Sequence, residues 1–313
     1  MISVGGENLI DLVSGAVAAN GLPQYVANPG GSPFNVAMAA GRQGQEVAYL
    51  TPVSEDALGD LLADRLVQSH VTLVAPRMPH PTSLAVVSIT DGIPSYAFHR
   101  NGTAERQVTM DSLQRDMPSA TTLFHVGSLG LIDGDDANTW EMFFADCQAR
   151  GLMTSLDPNV RPGLINDRDS YVARIRRMMR HADIFKLSDE DLEWLYPDRS
   201  LDAALAACRA DCDAVLFILT LGEAGSRAFL GDIEISEDAP PVDHLVDTVG
   251  AGDTFMASIL SWVVAHDLAS RDALAGIDAD RLRTAIHRAA AAAAINCGRS
   301  GCNPPWRDEL ARL

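Results

Sequence analysis

The chain lacks the short motifs that identify several common enzyme classes. It contains no G-x-x-x-x-G-K-[ST] phosphate loop and no G-x-G-x-x-G after its first predicted strand, which argues against P-loop enzymes and dinucleotide oxidoreductases. There is no G-x-S-x-G serine elbow, since residues 127–130 have the wrong spacing, and no H-E-x-x-H pattern. These absences make a serine hydrolase or a zinc peptidase a poor explanation of the sequence.

Basic residues are scarce. The chain has 24 Lys and Arg against 42 Asp and Glu, a formal net charge of −18. Nucleic acids and anionic membranes both require basic surfaces, so we expect neither as a partner. A nucleotide is still compatible with this charge, because a few local cations and helix N-termini can hold phosphate.

Cysteine pairs and long apolar segments are also missing. The five cysteines are an odd number without a C-x-x-C pair, which favours reduced core thiols over disulfides or a zinc site. The start of the chain has no basic segment followed by an apolar one, and no apolar run is long enough to cross a bilayer. With 313 residues, of which 47% are hydrophobic, we expect a cytoplasmic protein with a large core, built as one large domain or as one domain with a small appendage.

Strands and helices alternate from about residue 121 onward. We predict strands at 123–126, 153–157, 184–187 and 214–220, with helices at 135–150, 170–181, 188–195 and 202–210 between them. Two further helices, 252–266 and 281–297, complete the C-terminal part. This spacing is typical of right-handed βαβ units, so it predicts an α/β protein whose parallel sheet is covered on both faces.

A second, smaller sheet is predicted in the N-terminal part. Residues 84–90 and 95–99 are separated by the turn sequence at 91–94, a hairpin signal. Together with the weakly strand-like residues 14–31, they suggest a small antiparallel sheet outside the main body. Its apolar face needs a cover, which a ligand or a second subunit could provide.

Residues 247–255 form a glycine-rich loop that opens an apolar helix. The first turn of a helix has free N–H groups and partial positive charge, so it attracts an anion. Asp253 lies at the same place and would repel that anion. A carboxylate here has a purpose if it accepts a proton from a hydroxyl that attacks a phosphate. Taken alone, the stretch fits an ordinary Asp N-cap equally well.

Polar and glycine-rich segments follow several predicted strands. Residues 157–161 include Arg161, whose guanidinium can bind a phosphate through two nitrogens. Lys186 ends an apolar strand and could also contact phosphate, and residues 220–225 follow another strand. Asp11 follows an apolar pair at the predicted end of the first strand. Each segment alone fits turn chemistry or surface charge. Together they converge on one edge of a parallel sheet, where doubly wound folds bind ligands.

These motifs identify a resemblance over essentially the whole chain. Residues 30–59, with their paired glycines, and residues 247–260 resemble the two signature regions of the ribokinase-like (pfkB) carbohydrate kinases, and residues 157–161 and 220–225 follow in the expected order. The chain most resembles the bacterial fructokinases. The resemblance implies one kinase domain over 1–313, a three-layer α/β/α fold with a mostly parallel sheet, and a small antiparallel β lid at about 12–31 and 84–103.

The same resemblance implies an activity. ATP would donate its γ-phosphoryl group to a sugar hydroxyl, with the 6-hydroxyl of fructose as the expected acceptor and Mg²⁺ as cofactor. Asp253 would be the base, and the backbone amides of Gly250, Ala251 and Gly252 would form the anion hole. Ribokinase, nucleoside kinase and 2-keto-3-deoxygluconate kinase activities remain alternatives, as does a sugar- or nucleotide-binding protein of this fold without turnover.

Further roles are implied residue by residue. The sugar and the transferred phosphate would contact Asp11, Gly30, Gly31, Asn35, Arg100 and Arg161. ATP would lie along Lys186, Ser188, Thr220, Gly222 and Gly225. A monovalent cation such as K⁺ would bind backbone carbonyls near Asp247, Val249, Cys297 and Ser300. The lid is also where members of this family often form dimers.

Two departures from the family pattern affect the nucleotide side. The N-x-x-E motif that is tied to Mg²⁺ and phosphate is replaced by Ser188 and Asp191, so the carboxylate is shorter and would reach Mg²⁺ through water. Ala290 stands where many relatives have an Asn near the adenine. On the sugar side, Arg100 ends a predicted hairpin, so an ordinary exposed charge remains an alternative to a sugar contact.

Overall fold

The computed structural model describes residues 1–90 and 93–311. Within them the strands are β1 Ile2–Gly5, β2 Leu9–Val17, β3 Pro23–Gly30, β4 Val47–Tyr49, β5 Val71–Leu73, β6 Leu84–Thr90, β7 Ile93–His99, β8 Leu123–Gly127, β9 Met153–Asp157, β10 Ile184–Ser188, β11 Leu216–Thr220, β12 Ser226–Leu230 and β13 Ile233–Glu237. The helices are α1 Ser32–Arg42, α2 Ala57–Gln68, α3 Met110–Asp116, α4 Gly134–Ala149, α5 Arg168–Met179, α6 Asp189–Leu195, α7 Leu201–Asp211, α8 Ala251–Ala265, α9 Arg271–Ala275, α10 Ala279–Cys297 and α11 Arg307–Leu310.

The larger sheet has the strand order β13-β12-β11-β10-β9-β8-β1-β4-β5. Every pairing from β11 to β5 is parallel, which confirms the prediction from the alternating pattern. The β12 and β13 pairings at one edge are antiparallel. A tight turn that includes Gly231 joins these two strands, so they need no crossover helix.

Helices cover both faces of this sheet and form two cores. Side chains of β11 alternate between them: Leu216 and Ile218 pack with α1, α2, α8 and α10, whereas Phe217 and Leu219 pack with α3 to α7. This alternation follows from the two-residue period of a strand. The three-layer α/β/α architecture expected from the family resemblance is confirmed.

The smaller sheet has the order β3-β2-β6-β7. Its β2–β3 and β6–β7 pairings are antiparallel, as expected, whereas β2 and β6 run parallel. The predicted turn at 91–94 lies partly outside the described residues, at positions 91 and 92. None of the helices in the described part of the chain combines the length and the apolar content needed to cross a bilayer.

Two details of the sequence prediction are corrected. We expected Asp11 at the end of a main-sheet strand, but it lies inside β2 of the small sheet, opposite Asn28. The chain leaves the main sheet at Gly6, whose φ of 134° favours glycine, and the next apolar residues start the new sheet. The C-terminal part has α9 and α11 as well as the two predicted helices, because helices this short carry little periodicity.

Gly59 marks a tight packing point in the first turn of α2. A Cβ at this position would lie 2.0 Å from the carbonyl oxygen of Ser54. We expect Gly59→Ala to lower the free energy of unfolding by about 1–3 kcal/mol, since backbone must move to make room. Gly163→Ala is the matched control, because no atom lies within 4 Å of a Cβ there. Equal urea midpoints for the two variants would contradict this packing constraint.

Candidate active site

The predicted site residues meet at the carboxyl ends of β9 and β10. Asp157 is the last residue of β9, and Lys186 lies in β10. The N-terminal turns of α1 and α8 point into the same region and bring Asn35 and Asp253 together, although 218 positions separate them in the sequence. The strand-end location predicted from the sequence is therefore where these side chains assemble.

Asp253 is buried and fixed through both carboxylate oxygens. Its side chain is 6% exposed. Ser32 Oγ donates a hydrogen bond to Oδ1 at 2.6 Å, and Asn35 Nδ2 donates to Oδ2 at 2.8 Å. Burial raises the pKa of Asp253 above its ordinary value, although the two hydrogen bonds favour the charged form. A buried carboxylate whose pKa is raised is well suited to accept a proton.

The side-chain amide of Asn35 is hydrogen-bonded through its NH₂ group but not through its carbonyl oxygen. Because a carboxylate only accepts hydrogen bonds, the NH₂ group of Asn35 must face Asp253. Its carbonyl oxygen, Oδ1, is buried and has no hydrogen-bond partner in the described part of the protein. A buried acceptor without a donor is costly unless a ligand supplies one. Asn35 Oδ1 is therefore positioned to accept a hydrogen bond from a ligand hydroxyl beside Asp253.

The paired glycines are required by close approaches to two acids. A Cβ on Gly30 would lie 2.5 Å from Asp11 Oδ2, and a Cβ on Gly31 would lie 2.9 Å from the carbonyl oxygen of Glu7. Gly31 also has a φ of 108°, which side chains disfavour. Together these glycines bring the Asp11 strand close to the start of α1.

Asp11 and Arg161 lie near each other at the rim of this site. Burial raises the pKa of Asp11 to about 6, and the nearby Arg161 guanidinium acts in the opposite direction. The guanidinium is exposed and donates from Nη1 to Asn159 Oδ1 at 2.6 Å. Asn159 Nδ2 in turn lies 3.5 Å from Asp253 Oδ1. Asn159 therefore lies between Arg161 and Asp253.

The start of α8 presents free amides. Gly250 has a left-handed conformation (φ 75°, ψ 7°) that begins the helix. The amide of Ala251, which was expected to contribute to the anion hole, instead donates a hydrogen bond to the carbonyl of Thr248 at 3.2 Å. Among the described residues we find no acceptor for the amides of Gly250, Gly252 and Asp253. These three N–H groups can bind an anion.

A buried ion pair lies beneath these amides. Lys186 Nζ donates to Asp157 Oδ2 at 2.8 Å, and a Cβ on Gly252 would lie only 3.1 Å from that nitrogen. Burial lowers the pKa of Lys186, but Asp157 outweighs it and holds the pKa above its usual value. Lys186 is therefore a fixed positive charge next to the helix N-terminus, where the sequence predicted a phosphate contact.

Ser188 and Asp191 form the start of α6. The Ser188 hydroxyl accepts a hydrogen bond from the Asp191 amide, and Asp191 Oδ2 accepts one from the Ser188 amide, which together form a capping box. Asp191 Oδ1 accepts the amide of Val160 at 2.7 Å. The shortened acid thus ties the loop after β9 to β10, and each of its oxygens keeps one lone pair for water.

The two glycines expected beside ATP have different surroundings. No atom lies within 4 Å of a Cβ built on Gly222, so this position borders open space. A Cβ on Gly225 would lie 2.1 Å from the carbonyl oxygen of Glu237. Packing against β13 thus accounts for Gly225. The hydroxyl of Thr220 donates to the carbonyl of Leu187 at 3.4 Å.

Arg100 has partners that the sequence did not suggest. It is 8% exposed, donates to Glu105 Oε1 at 2.9 Å, and donates to the carbonyl of Leu129 at 3.1 Å. The exposed hairpin charge considered as an alternative is wrong, because the guanidinium is buried at the end of β7. A sugar contact by Arg100 stays a prediction that these hydrogen bonds do not support.

The residues expected to hold a monovalent cation lie together but use some of their carbonyls. The carbonyl of Cys297 accepts the amides of Val246 and Asp247 at 2.9 and 3.2 Å. The Val249 carbonyl accepts Asn296 Nδ2 at 2.8 Å, and Ser300 is exposed two residues before Cys302. The K⁺ site stays a prediction. Within the described ranges, no three His, Cys, Asp or Glu side chains are grouped to hold a metal.

The site residues that sequence reasoning missed are Ser32, Asp157 and Asn159. All three belong to the quoted motifs but received no role. Position could have indicated them, since Ser32 follows Gly31 at a helix start, and Asp157 and Asn159 stand at a strand end in the same motif as Arg161. A fixed, buried carboxylate beside free amides at a helix N-terminus is suited to an enzyme that transfers a phosphoryl group to a hydroxyl.

Comparison with known proteins defines the family. Residues 2–309 match the pfkB family carbohydrate kinase. A fructokinase of Rhizobium leguminosarum bv. trifolii is 36% identical over 286 residues, which cover 90% of this chain and 86% of the relative. The crystal structure of a fructokinase from Xylella fastidiosa with bound ATP superposes with a TM-score of 0.88 at 25% identity, covering 99% of this chain and 97% of that one. The chain therefore belongs to the pfkB family of carbohydrate kinases.

The buried ion pair gives a stability prediction. Lys186→Met leaves the Asp157 carboxylate buried without its partner, and we expect the free energy of unfolding to fall by about 3–5 kcal/mol. The double variant Lys186→Met, Asp157→Leu should recover much of this loss, because no charge is then left unpaired. Urea unfolding provides the measurement.

The matched control is Arg150→Met, at the exposed Arg150–Asp146 pair. We expect little change there, since surface pairs contribute little. If Lys186→Met were as stable as this control, the structural role of the buried pair would be wrong.

Proposed function

We propose that this protein is an ATP-dependent fructokinase that phosphorylates the 6-hydroxyl of fructose. The family and the similarity to the Rhizobium fructokinase support the class of reaction. The observation that carries the proposal is Asp253, held in place by hydrogen bonds from α1 next to free amides of α8. One group thus lies ready to take a proton while its neighbours can bind the phosphoryl group.

In the proposed reaction the sugar hydroxyl donates to Asp253, and the Oδ1 of Asn35 accepts from a second sugar hydroxyl. As the sugar oxygen bonds to the γ-phosphorus, its proton passes to Asp253 and the bond from that phosphorus to ADP breaks. The amides of Gly250 and Gly252 would donate to the phosphoryl oxygens, and Lys186 would offset their negative charge. This is catalysis by positioning and charge stabilisation.

The acidic groups of the site fit Mg²⁺ that arrives with ATP. Mg²⁺ commonly keeps several waters and binds one or two carboxylates together with phosphates, and it would neutralise the β- and γ-phosphates. Asp191, with a lone pair left on each oxygen, and Asp157, whose Oδ1 has no partner within the described residues, are the carboxylates that would hold its waters.

The small sheet is proposed as the lid of the sugar site. It carries Asp11, and its exposed apolar side chains on β2, β3 and the segment between them are Val17, Leu22, Tyr25 and Val26. A second copy of the chain is the proposed cover for these side chains. A cytoplasmic location, where ATP is available, is part of the same proposal.

A panel of sugars with ATP tests the substrate. We expect ADP release with fructose, and kcat/KM for fructose at least tenfold above the values for ribose, 2-keto-3-deoxygluconate and nucleosides. A higher value for one of these would replace fructose within the same class. Binding of ATP and sugar without ADP release would instead show a binding protein.

Asp253→Asn tests the base. The substitution keeps the size of the side chain and can keep one hydrogen bond, but it removes the proton acceptor. We expect kcat to fall by about 10²–10⁴-fold, the usual contribution of a general base, while ATP still binds in calorimetry. Turnover close to that of the unsubstituted protein, in a preparation free of it, would disprove the assignment.

A further inference from the structure

Ser32 makes the shortest side-chain contact to Asp253. Its hydroxyl lies 2.6 Å from Oδ1, and both side chains are buried. The two residues belong to different helices, so the hydrogen bond joins the start of α1 to the start of α8. Because a carboxylate is acceptor-only, the Ser32 hydroxyl must be the donor.

Ser32 is itself held by a buried acid. Its backbone amide donates to Glu7 Oε1 at 2.8 Å, and the other Glu7 oxygen accepts the amide of Gly130 at 3.3 Å. Glu7 is thus attached to two segments of the main body at once. The hydroxyl therefore projects toward Asp253 from an anchored backbone.

Two donors on different oxygens fix the plane of the Asp253 carboxylate. Asn35 alone would leave it free to turn about its bond to Cβ, since it binds Oδ2 only. Each oxygen can accept two hydrogen bonds. The second position on Oδ1 faces Asn159 Nδ2 at 3.5 Å, whereas Oδ2 keeps one position for a sugar hydroxyl. Charge-assisted hydrogen bonds of this kind are also among the stronger ones.

The proposal rests on the function proposed above. We infer that Ser32 is a positioning residue for the base: its hydroxyl orients Asp253 toward the acceptor sugar and keeps the carboxylate ionised in a buried place. Ser32 does this from the first turn of α1, without touching the phosphoryl group.

The charged and polar groups around Asp253 determine how a substitution of Ser32 would change the pKa of this carboxyl. Burial and Asp157 of β9 raise its pKa, whereas Ser32, Asn35 and Lys186 of β10 lower it. The thiol of Cys302, on the C-terminal segment, is another titratable neighbour, and burial raises the pKa of this thiol well above its ordinary value. Removal of the Ser32 hydroxyl would take away one of the groups that lower the pKa of Asp253, so the effect of burial would be larger. Asp253 would then become protonated at a higher pH.

The test compares pH profiles of Ser32→Ala and the unsubstituted enzyme with fructose and ATP. We expect kcat to fall roughly 10- to 100-fold, the range of one hydrogen bond to a charged group. KM for ATP should stay within about twofold, because a lost contact to the base alone leaves uniform nucleotide binding intact. The acid limb of kcat/KM should move to higher pH. Ser32→Thr, which keeps the hydroxyl, should restore the limb.

Ser258→Ala is the matched control. Ser258 is also a buried serine of the α1–α8 contact. Its hydroxyl accepts a hydrogen bond from Gln43 Nε2 at 2.7 Å and donates one to the carbonyl of Thr254 at 2.8 Å. Loss of this hydroxyl should lower the unfolding temperature and leave the acid limb in place. It thus separates a general packing defect from an effect on the base.

The outcomes distinguish the two proposals. An unsubstituted enzyme without sugar-dependent ADP release would remove the proposed function and the positioning role together. If the unsubstituted enzyme is active and Ser32→Ala has the same kcat and the same pH profile, only the positioning role is wrong. Lower activity of Ser32→Ala with an unmoved acid limb, not rescued by Ser32→Thr, would also overturn it and leave Ser32 a structural residue.

Discussion

The structure of the site depends on one buried carboxylate. Burial of the ionised Asp253 side chain would destabilise the fold without hydrogen-bond donors, because a buried charge needs hydrogen bonds or an opposite charge. Ser32 and Asn35 supply the donors from α1, across the contact between α1 and α8. Glycine is required at both helix starts, because a Cβ on Gly31 would lie 2.9 Å from the carbonyl oxygen of Glu7 and a Cβ on Gly250 would lie 2.3 Å from Cys302 Sγ. The start of α8 leaves amides free for an anion beside the acid.

Electrostatics explains why this acid and an anion can share the site. Asp157 lies close enough to Asp191 and Asp253 to raise the pKa of both, in addition to the effect of burial, and a triphosphate would add more negative charge. Lys186 is the buried cation among them, and Asp157 holds it charged. The free amides add partial positive charge without a desolvated ion. The excess of acids over the whole chain thus does not prevent phosphate binding, because local donors determine the potential at the site.

Sequence patterns predicted the parts of this protein that depend on local order. Strand and helix alternation predicted the parallel sheet, and the glycine motifs predicted which loops meet at its edge. The patterns failed where long-range packing decides. Asp11 follows two apolar residues, which looked like a strand end, but the chain turns at Gly6 into a second sheet. Arg100 became a buried ion pair because Glu105 lies one turn away, a contact that a hairpin pattern does not reveal. The donors Ser32 and Asn159 lie within recognised motifs, yet only the folded chain shows that they point at Asp253.

The central claim is that Asp253 meets the acceptor hydroxyl while the amides at the start of α8 meet the phosphoryl group. A crystal structure of the protein with fructose and a non-hydrolysable ATP analogue tests this most directly. We expect a fructose hydroxyl oxygen within about 3.2 Å of an Asp253 carboxylate oxygen, with the γ-phosphate facing the amides of Gly250 and Gly252. Fructose bound with every hydroxyl beyond hydrogen-bond distance of Asp253, or a γ-phosphate directed away from α8, would contradict it.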